Sequence, residues 1–232
     1  WKADYDAVTL SGAKNVWVDH CTFLDKIQDT ADGAVLKNAN GRTPKIFRHD
    51  GLLDIVQGTD FVTVSYNIFA NHDKTILVGA KSNNEVDSSR LSVTFHHNHF
   101  INCRSGSPLV RYGKVHIYNN WYEGKIDHAF GTGFAARIFS EGNFFDVTAP
   151  ASKLAGYIPE AVPGVFFDRY SLYKAPNSVA ATPVNLSLES GPPFVFSAGW
   201  NPINIYIYQL DNTELVPEIV GKYAGAGRPV RF

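Results

Sequence analysis

The chain has 232 residues, 44% of them hydrophobic and 19% charged, which is enough apolar material for a single domain with a buried core. A formal net charge of −1 lacks the basic field of a nucleic-acid binder, and no apolar run approaches the roughly 20 residues that cross a bilayer. Two cysteines make no disulfide framework.

The sequence opens at Trp1 and contains no methionine. Asp4-Tyr-Asp-Ala-Val-Thr-Leu10 reads as a strand already in mid-sheet, and an unpaired edge of that kind invites association. The expectation is therefore that further coils precede Trp1. From Val16 a short pattern begins: a valine, an apolar residue two on, Asn or Cys five on, and an aromatic seven on. It is carried by Val16, Val18, Cys21 and Phe23, then by Val62, Val64, Asn67 and Phe69. It returns as Val93, Phe95, Asn98 and Phe100, and as Val115, Ile117, Asn120 and Tyr122, with a fainter copy at Ile138, Ser140, Asn143 and Phe145. The spacing settles near 22 residues, the period of a stacked coil. Alternating apolar residues would fill a common core, and each Asn can hydrogen-bond the Asn above and below it. The predicted fold is all-β: a right-handed parallel β-helix with long loops on one side and a short C-terminal helix.

Between the copies, residues 24–48 and 81–90 are polar and read as loops. Coils are expected over about residues 1–146. Residues 147–198, rich in Pro, Ser, Gly and Ala, read as long loops over the surface, and 213–223 as a closing helix with Pro217 in its first turn. All 232 residues form one domain on this reading. Cys21 and Cys103 fall about two rungs of ~4.8 Å apart, beyond disulfide reach, so both are expected to be free and buried. A monomer is the expected association state.

Register then gathers charge. The 46-residue offset between Val16 and Val62 puts Asp4 beside Asp50 on the next coil. Asp6 shares a strand face with Asp4, and Asp54 shares one with Asp50. Four carboxylates on one patch repel unless a cation neutralises them, and hard oxygen donors suit Ca²⁺. The plainer alternative is a solvated acidic face. Asp19 and His20 resemble a catalytic pair but lie within a repeat, where a structural role is expected. His96, His97 and His99 read as ordinary surface or turn residues. Phe69, Phe95, Phe100 and Tyr122 read as a core stack.

Several segments resemble the pectate lyases of polysaccharide lyase family 1. They are Trp1-Lys-Ala-Asp-Tyr-Asp6, Asn15-Val-Trp-Val-Asp-His20, Asp50-Gly-Leu-Leu-Asp-Ile55, Val62-Thr-Val-Ser-Tyr-Asn67, His72-Asp-Lys-Thr75 and Val115-His-Ile-Tyr-Asn-Asn120. The likeness resumes at Val216-Pro-Glu-Ile-Val220 and Tyr223-Ala-Gly-Ala-Gly227. It implies a secreted, extracellular enzyme that cleaves de-esterified polygalacturonate by β-elimination with Ca²⁺ as cofactor. Asp4, Asp6, Asp50 and Asp54 match that family's calcium carboxylates, Lys74 a lysine that contacts the substrate carboxylate, and Arg111 a substrate-binding arginine. The family's base is an arginine in the pattern Arg-x-Pro-x-x-Arg. With Pro108 and Arg111 aligned, that position here is Gly106. Arg104 stands two residues upstream, about 6–7 Å away along an extended chain. Three readings stay open: an impaired site, Arg104 as substitute, or another base. Pectin lyase activity without Ca²⁺ and a non-catalytic polygalacturonate-binding β-helix are the competing functions.

Overall fold

A computed structural model of the chain describes residues 6–25, 50–189 and 197–231. The loop expected at 24–48 falls almost wholly outside them. The repeated pattern becomes a right-handed parallel β-helix of three sheets, each coil giving one strand to each sheet. The first coil is β1 (Val8–Ser11), β2 (Lys14–Asp19) and β3 (Thr22–Leu24). The second is β4 (Leu53–Val56), β5 (Asp60–Ser65) and β6 (Ile68–Ala70); the third is β7 (Ile76–Val78), β8 (Ser92–His96) and β9 (His99–Ile101). The fourth is β10 (Leu109–Val110), β11 (Lys114–Tyr118) and β12 (Trp121–Gly124); the fifth is β13 (Phe130–Thr132), β14 (Arg137–Glu141) and β15 (Phe144–Val147).

Register follows the motif: Val16 pairs with Val62, Val62 with Val93, Val93 with Val115 and Val115 with Ile138. These side chains alternate inward, so one residue type stacks above its own kind. Phe23, Phe69, Phe100, Tyr122 and Phe145 form a column of near-parallel rings with centroids 4.8–5.2 Å apart. Asn67, Asn98, Asn120 and Asn143 form a second column at the turn between the second and third sheets. The amides of Asn67, Asn98 and Asn120 each bond the next Asn side-chain oxygen at 2.9–3.0 Å and also satisfy a strand carbonyl. All four are fully buried, a position a polar side chain holds only with its partners made.

The coils do not stop near residue 146. A sixth coil, β16 (Ala155–Tyr157), β17 (Val165–Arg169) and β18 (Ser171–Lys174), arises within the stretch that composition assigns to loops. Phe166, Asp168, Ser171 and Tyr173 stand in register with Ile138, Ser140, Asn143 and Phe145. They are a degenerate copy of the motif, in which the Ser171 hydroxyl accepts the Asn143 N–H at 3.3 Å where an Asn would have done so. β19 (Thr182–Val184) then runs antiparallel to β18, and α1 (Leu186–Glu189) follows. The closing helix forms as α2 (Val216–Tyr223), burying Val216 and Val220 against Ile68, Trp121 and Phe144.

Two smaller expectations need correction. Both cysteines are free, but only Cys103 is buried, since Cys21 lies on the first coil with less cover. His97 and His99 are not surface residues: they are 5% and 8% exposed. The segment after residue 205 lies over the second sheet, where Asp211 accepts from His97 Nε2 at 2.8 Å and the Tyr206 hydroxyl meets His116 Nδ1 at 2.5 Å. Burial pushes His96 down to about 3, so its ring is neutral and stacks on Tyr118 at 5.0 Å. Asp19 and His20 pair at 2.6 Å, and Asp19 also accepts from Ser65, which fits the structural role.

Candidate functional site

One row of residues crosses the outer face of the first sheet: Thr9, Asp54, Leu77, Leu109, Gly131 and Gly156. Of the candidate site residues, Asp54 lies in this row, Arg111 follows β10 two residues beyond it, and Lys74, Arg104 and Gly106 lie on the corner where the third sheet turns into the first.

The acidic patch forms, by a register different from the expected one. The second sheet keeps the 46-residue offset, Val16 to Val62, but the first sheet pairs Val8 with Leu53, an offset of 45. The turn between β4 and β5 holds residues 57–59, one more than the turn at 12–13, and that residue shifts the pairing. Asp6 therefore stands over Gly51, whose N–H donates to Asp6 Oδ1 at 2.9 Å. Strand parity between Asp50 and Asp54 also fails, because Leu52 precedes the strand and is buried together with Leu53. Asp4 lies outside the described residues.

The carboxylates meet all the same. A Cβ at Gly51 would lie 2.5 Å from Asp54 Oδ1 and 3.1 Å from Asp6 Oδ1, so both oxygens converge on a bare Cα. Burial, then the charges of Asp6 and Asp50, push the Asp54 carboxyl up to about 7. Two carboxylates crowded on a glycine and short of positive charge form a hard-oxygen donor set that fits Ca²⁺. Among the described residues no three such side chains close a complete cage.

Lys74 joins the patch from the corner. Its backbone bridges to Ser105 on the next coil, and Nζ lies 3.2 Å from Asp50 Oδ1. Between Ser105 and Leu109 the chain holds one residue more than its neighbour does between Lys74 and Leu77. Gly106 sits in that excess with φ +63°, a left-handed conformation that glycine adopts without strain. Its carbonyl accepts the Ile76 N–H at 2.7 Å. A Cβ there would find its nearest neighbour, Leu109 Cβ, at 3.4 Å, so the position is open to a side chain.

Arg104 is anchored away from that position. Its N–H donates to His72 O, its carbonyl accepts from Asp127 and His128, and its Nε lies 3.3 Å from Asp127 Oδ2. Arg111, two residues beyond Leu109, places Nε 3.0 Å from Glu160 Oε1. Sequence reasoning missed Asp127 and Glu160, for neither lies in a motif. The site thus holds three cations, each facing a carboxylate: Lys74 on Asp50 of the acidic patch, Arg104 on Asp127 and Arg111 on Glu160.

A family model described as pectate lyase matches residues 1–229. A pectate lyase of Bacillus subtilis is 32% identical over 98% of this chain and 52% of its own length. Pectate lyase E of Dickeya chrysanthemi is 42% identical over 64% of the chain and 39% of its own. A solved structure titled as a pectate lyase bound to hexasaccharide superposes with a TM-score of 0.81 at 31% identity, covering 98% of this chain and 55% of that one. The chain spans about half the length of these relatives, or less.

Proposed function

The chain belongs to the pectate lyase family, and on that premise we propose that its groove binds de-esterified polygalacturonate with Ca²⁺ and cleaves it by β-elimination, with proton abstraction impaired at Gly106. The observation that carries the proposal is the convergence of Asp6 and Asp54 on Gly51, beside Lys74, with Arg111 two residues along the strand from the Asp54 row. A relative's structure with a hexasaccharide supports a polymeric substrate. A neutral methylated polymer would need no such cation-hungry patch, which argues against pectin lyase activity. A polymer of this size also makes an extracellular location part of the proposal.

Asp6, Asp50 and Asp54 would hold the cation, with Asp4 as a further ligand. When bound, Ca²⁺ neutralises the patch and offers positive charge to substrate carboxylates. Lys74 and Arg111 supply fixed cations for the uronate carboxylates, where charge grows as the C5 proton leaves. The electron pair left at C5 forms the C4–C5 double bond, and the glycosidic oxygen departs from C4. Gly106 has no side chain to take the proton, and its carbonyl is already used by Ile76. Arg104 is held by Asp127. The sequence position where the family has its base is therefore empty of one.

Ultraviolet absorbance of unsaturated product, with Ca²⁺ and with a chelator, tests this. The parent should give a weak, calcium-dependent signal. Gly106→Arg should raise it about 10²–10⁴-fold, the usual worth of a positioned base, despite ~1–2 kcal/mol of strain at a left-handed residue. A fast parent would overturn the impairment. No calcium-dependent binding of oligogalacturonate would overturn the groove itself. Gly106 also favours a second reading, a module that binds the polymer without turning it over. Binding with complete silence in the parent would select it.

A further inference from the structure

Glu160 reaches Arg111 from two coils away. Arg111 follows β10 in the fourth coil, while Glu160 lies in the loop that joins β16 to β17 in the sixth. The carboxylate spans the coil between them. Its Oε1 accepts from Arg111 Nε at 3.0 Å, and its Oε2 accepts the backbone N–H of Phe134. Both side chains are sheltered, at 18% and 15% exposure. The intervening coil makes room with a glycine: a Cβ at Gly133 would lie 3.1 Å from Arg111 Cγ and 3.1 Å from Glu160 Oε2. Arg111 Nη1 is 3.5 Å from the Ala80 carbonyl. The guanidinium is thus gripped through one edge, and Nη2 keeps no protein partner among the described residues.

Two effects of Glu160 oppose each other. Its negative charge in an anion-binding groove repels a uronate, so a purely Coulombic account predicts tighter binding once it is removed. Its grip, however, removes rotamer freedom that a long arginine would otherwise lose on binding, and it aims a rigid fork of donors. We propose that the grip wins: Glu160 is a positioning residue that presents Arg111 to a substrate carboxylate. This rests on the reading of Arg111 as substrate-binding.

Calorimetric titration with trigalacturonate in Ca²⁺ decides it. Glu160→Ala should weaken binding about tenfold, the worth of one immobilised side chain. Glu160→Gln keeps an acceptor for Arg111 Nε and should recover most of the loss. Gly133→Ala changes no charge, crowds the same pair, and should weaken binding as well. In an Arg111→Ala background, Glu160→Ala should add nothing further. Tighter or unchanged binding by Glu160→Ala would overturn the proposal. So would a loss that persists without Arg111, since that would mark Glu160 as a mere loop anchor. If Arg111→Ala alone binds as tightly as the parent, the reading of Arg111 falls first and the positioning role with it.

Discussion

Two corners of the same coils are built in opposite ways. Between the second and third sheets, Asn67, Asn98, Asn120 and Asn143 repeat one residue and bond like to like, fully buried. Between the third and first sheets the repeat lasts one rung, Asn102 donating to Asn71 at 3.2 Å, and beyond it Lys74, Arg104, Gly106, Asp127 and His128 stand as unlike neighbours. Repetition uses up every donor and acceptor inside the stack, which gives cohesion and leaves nothing for a ligand. Among the unlike neighbours, Lys74, Arg104 and Asp127 stay exposed or half-exposed and charged, which gives the ladder little and a ligand much. The proposed substrate-binding face lies on the side where the repeat is broken.

The sharpest way to break this contrast is to remove one rung. Asn98→Ala removes the acceptor of the buried Asn67 backbone N–H, one of the two acceptors of the Asn67 side-chain amide, and the donor to a strand carbonyl at Val64, and each buried unsatisfied group costs about 1–3 kcal/mol. Urea unfolding should show a loss of about 3 kcal/mol or more, with oligogalacturonate affinity unchanged while the protein is folded. A loss under ~1 kcal/mol would mean that the stacked aromatics, and not the ladder, hold the coils in register.

The degenerate sixth coil should respond to pH. Asp168 is fully buried, and burial pushes its carboxyl up to about 7, against hydrogen bonds from Leu186, Ser140 and Ser171 that pull it down. The folded protein therefore binds more protons than the unfolded chain between pH ~4 and ~7, and this group's contribution to stability falls as pH rises through that window. Asp168→Asn should remove that part of the slope, while the amide NH2 cannot accept in place of one carboxylate oxygen that Ser140, Ser171 or Leu186 uses. Parallel stability–pH curves for the two proteins would contradict the burial argument.

The smallest effect on stability belongs to the irregular corner. Lys74 and Asp50 have side chains 56% and 46% exposed, and exposed pairs contribute ~0–1 kcal/mol. Lys74→Ala should shift the unfolding midpoint hardly at all while weakening oligogalacturonate binding. The reverse outcome, lost stability with intact binding, would erase the distinction between the corners.

Much of the fold was legible because its signal is short-range. The Val, Asn and aromatic spacing within eight residues fixes which side chains point inward, and copies in common register can stack only one way. The sixth coil escaped because Ser171 and Asp168 occupy its diagnostic positions, and a hydroxyl accepting one backbone N–H does the work without the Asn that announces it. At the site, motif likeness singled out Asp6, Asp50, Asp54, Lys74, Gly106 and Arg111, while a one-residue difference in turn length moved the pairing of the acidic patch from 46 to 45.

The sequence by itself determined a stack of coils, its inward columns and the missing side chain at 106, since each depends on residue identity and local period. Only the tertiary structure decided which carboxylate each arginine or histidine meets. Arg104 finds Asp127 23 residues on, Arg111 finds Glu160 49 on, and His97 finds Asp211 114 on. Those distances are set by loop lengths and coil stacking, and a polar side chain near a surface takes whichever partner the stack carries to it.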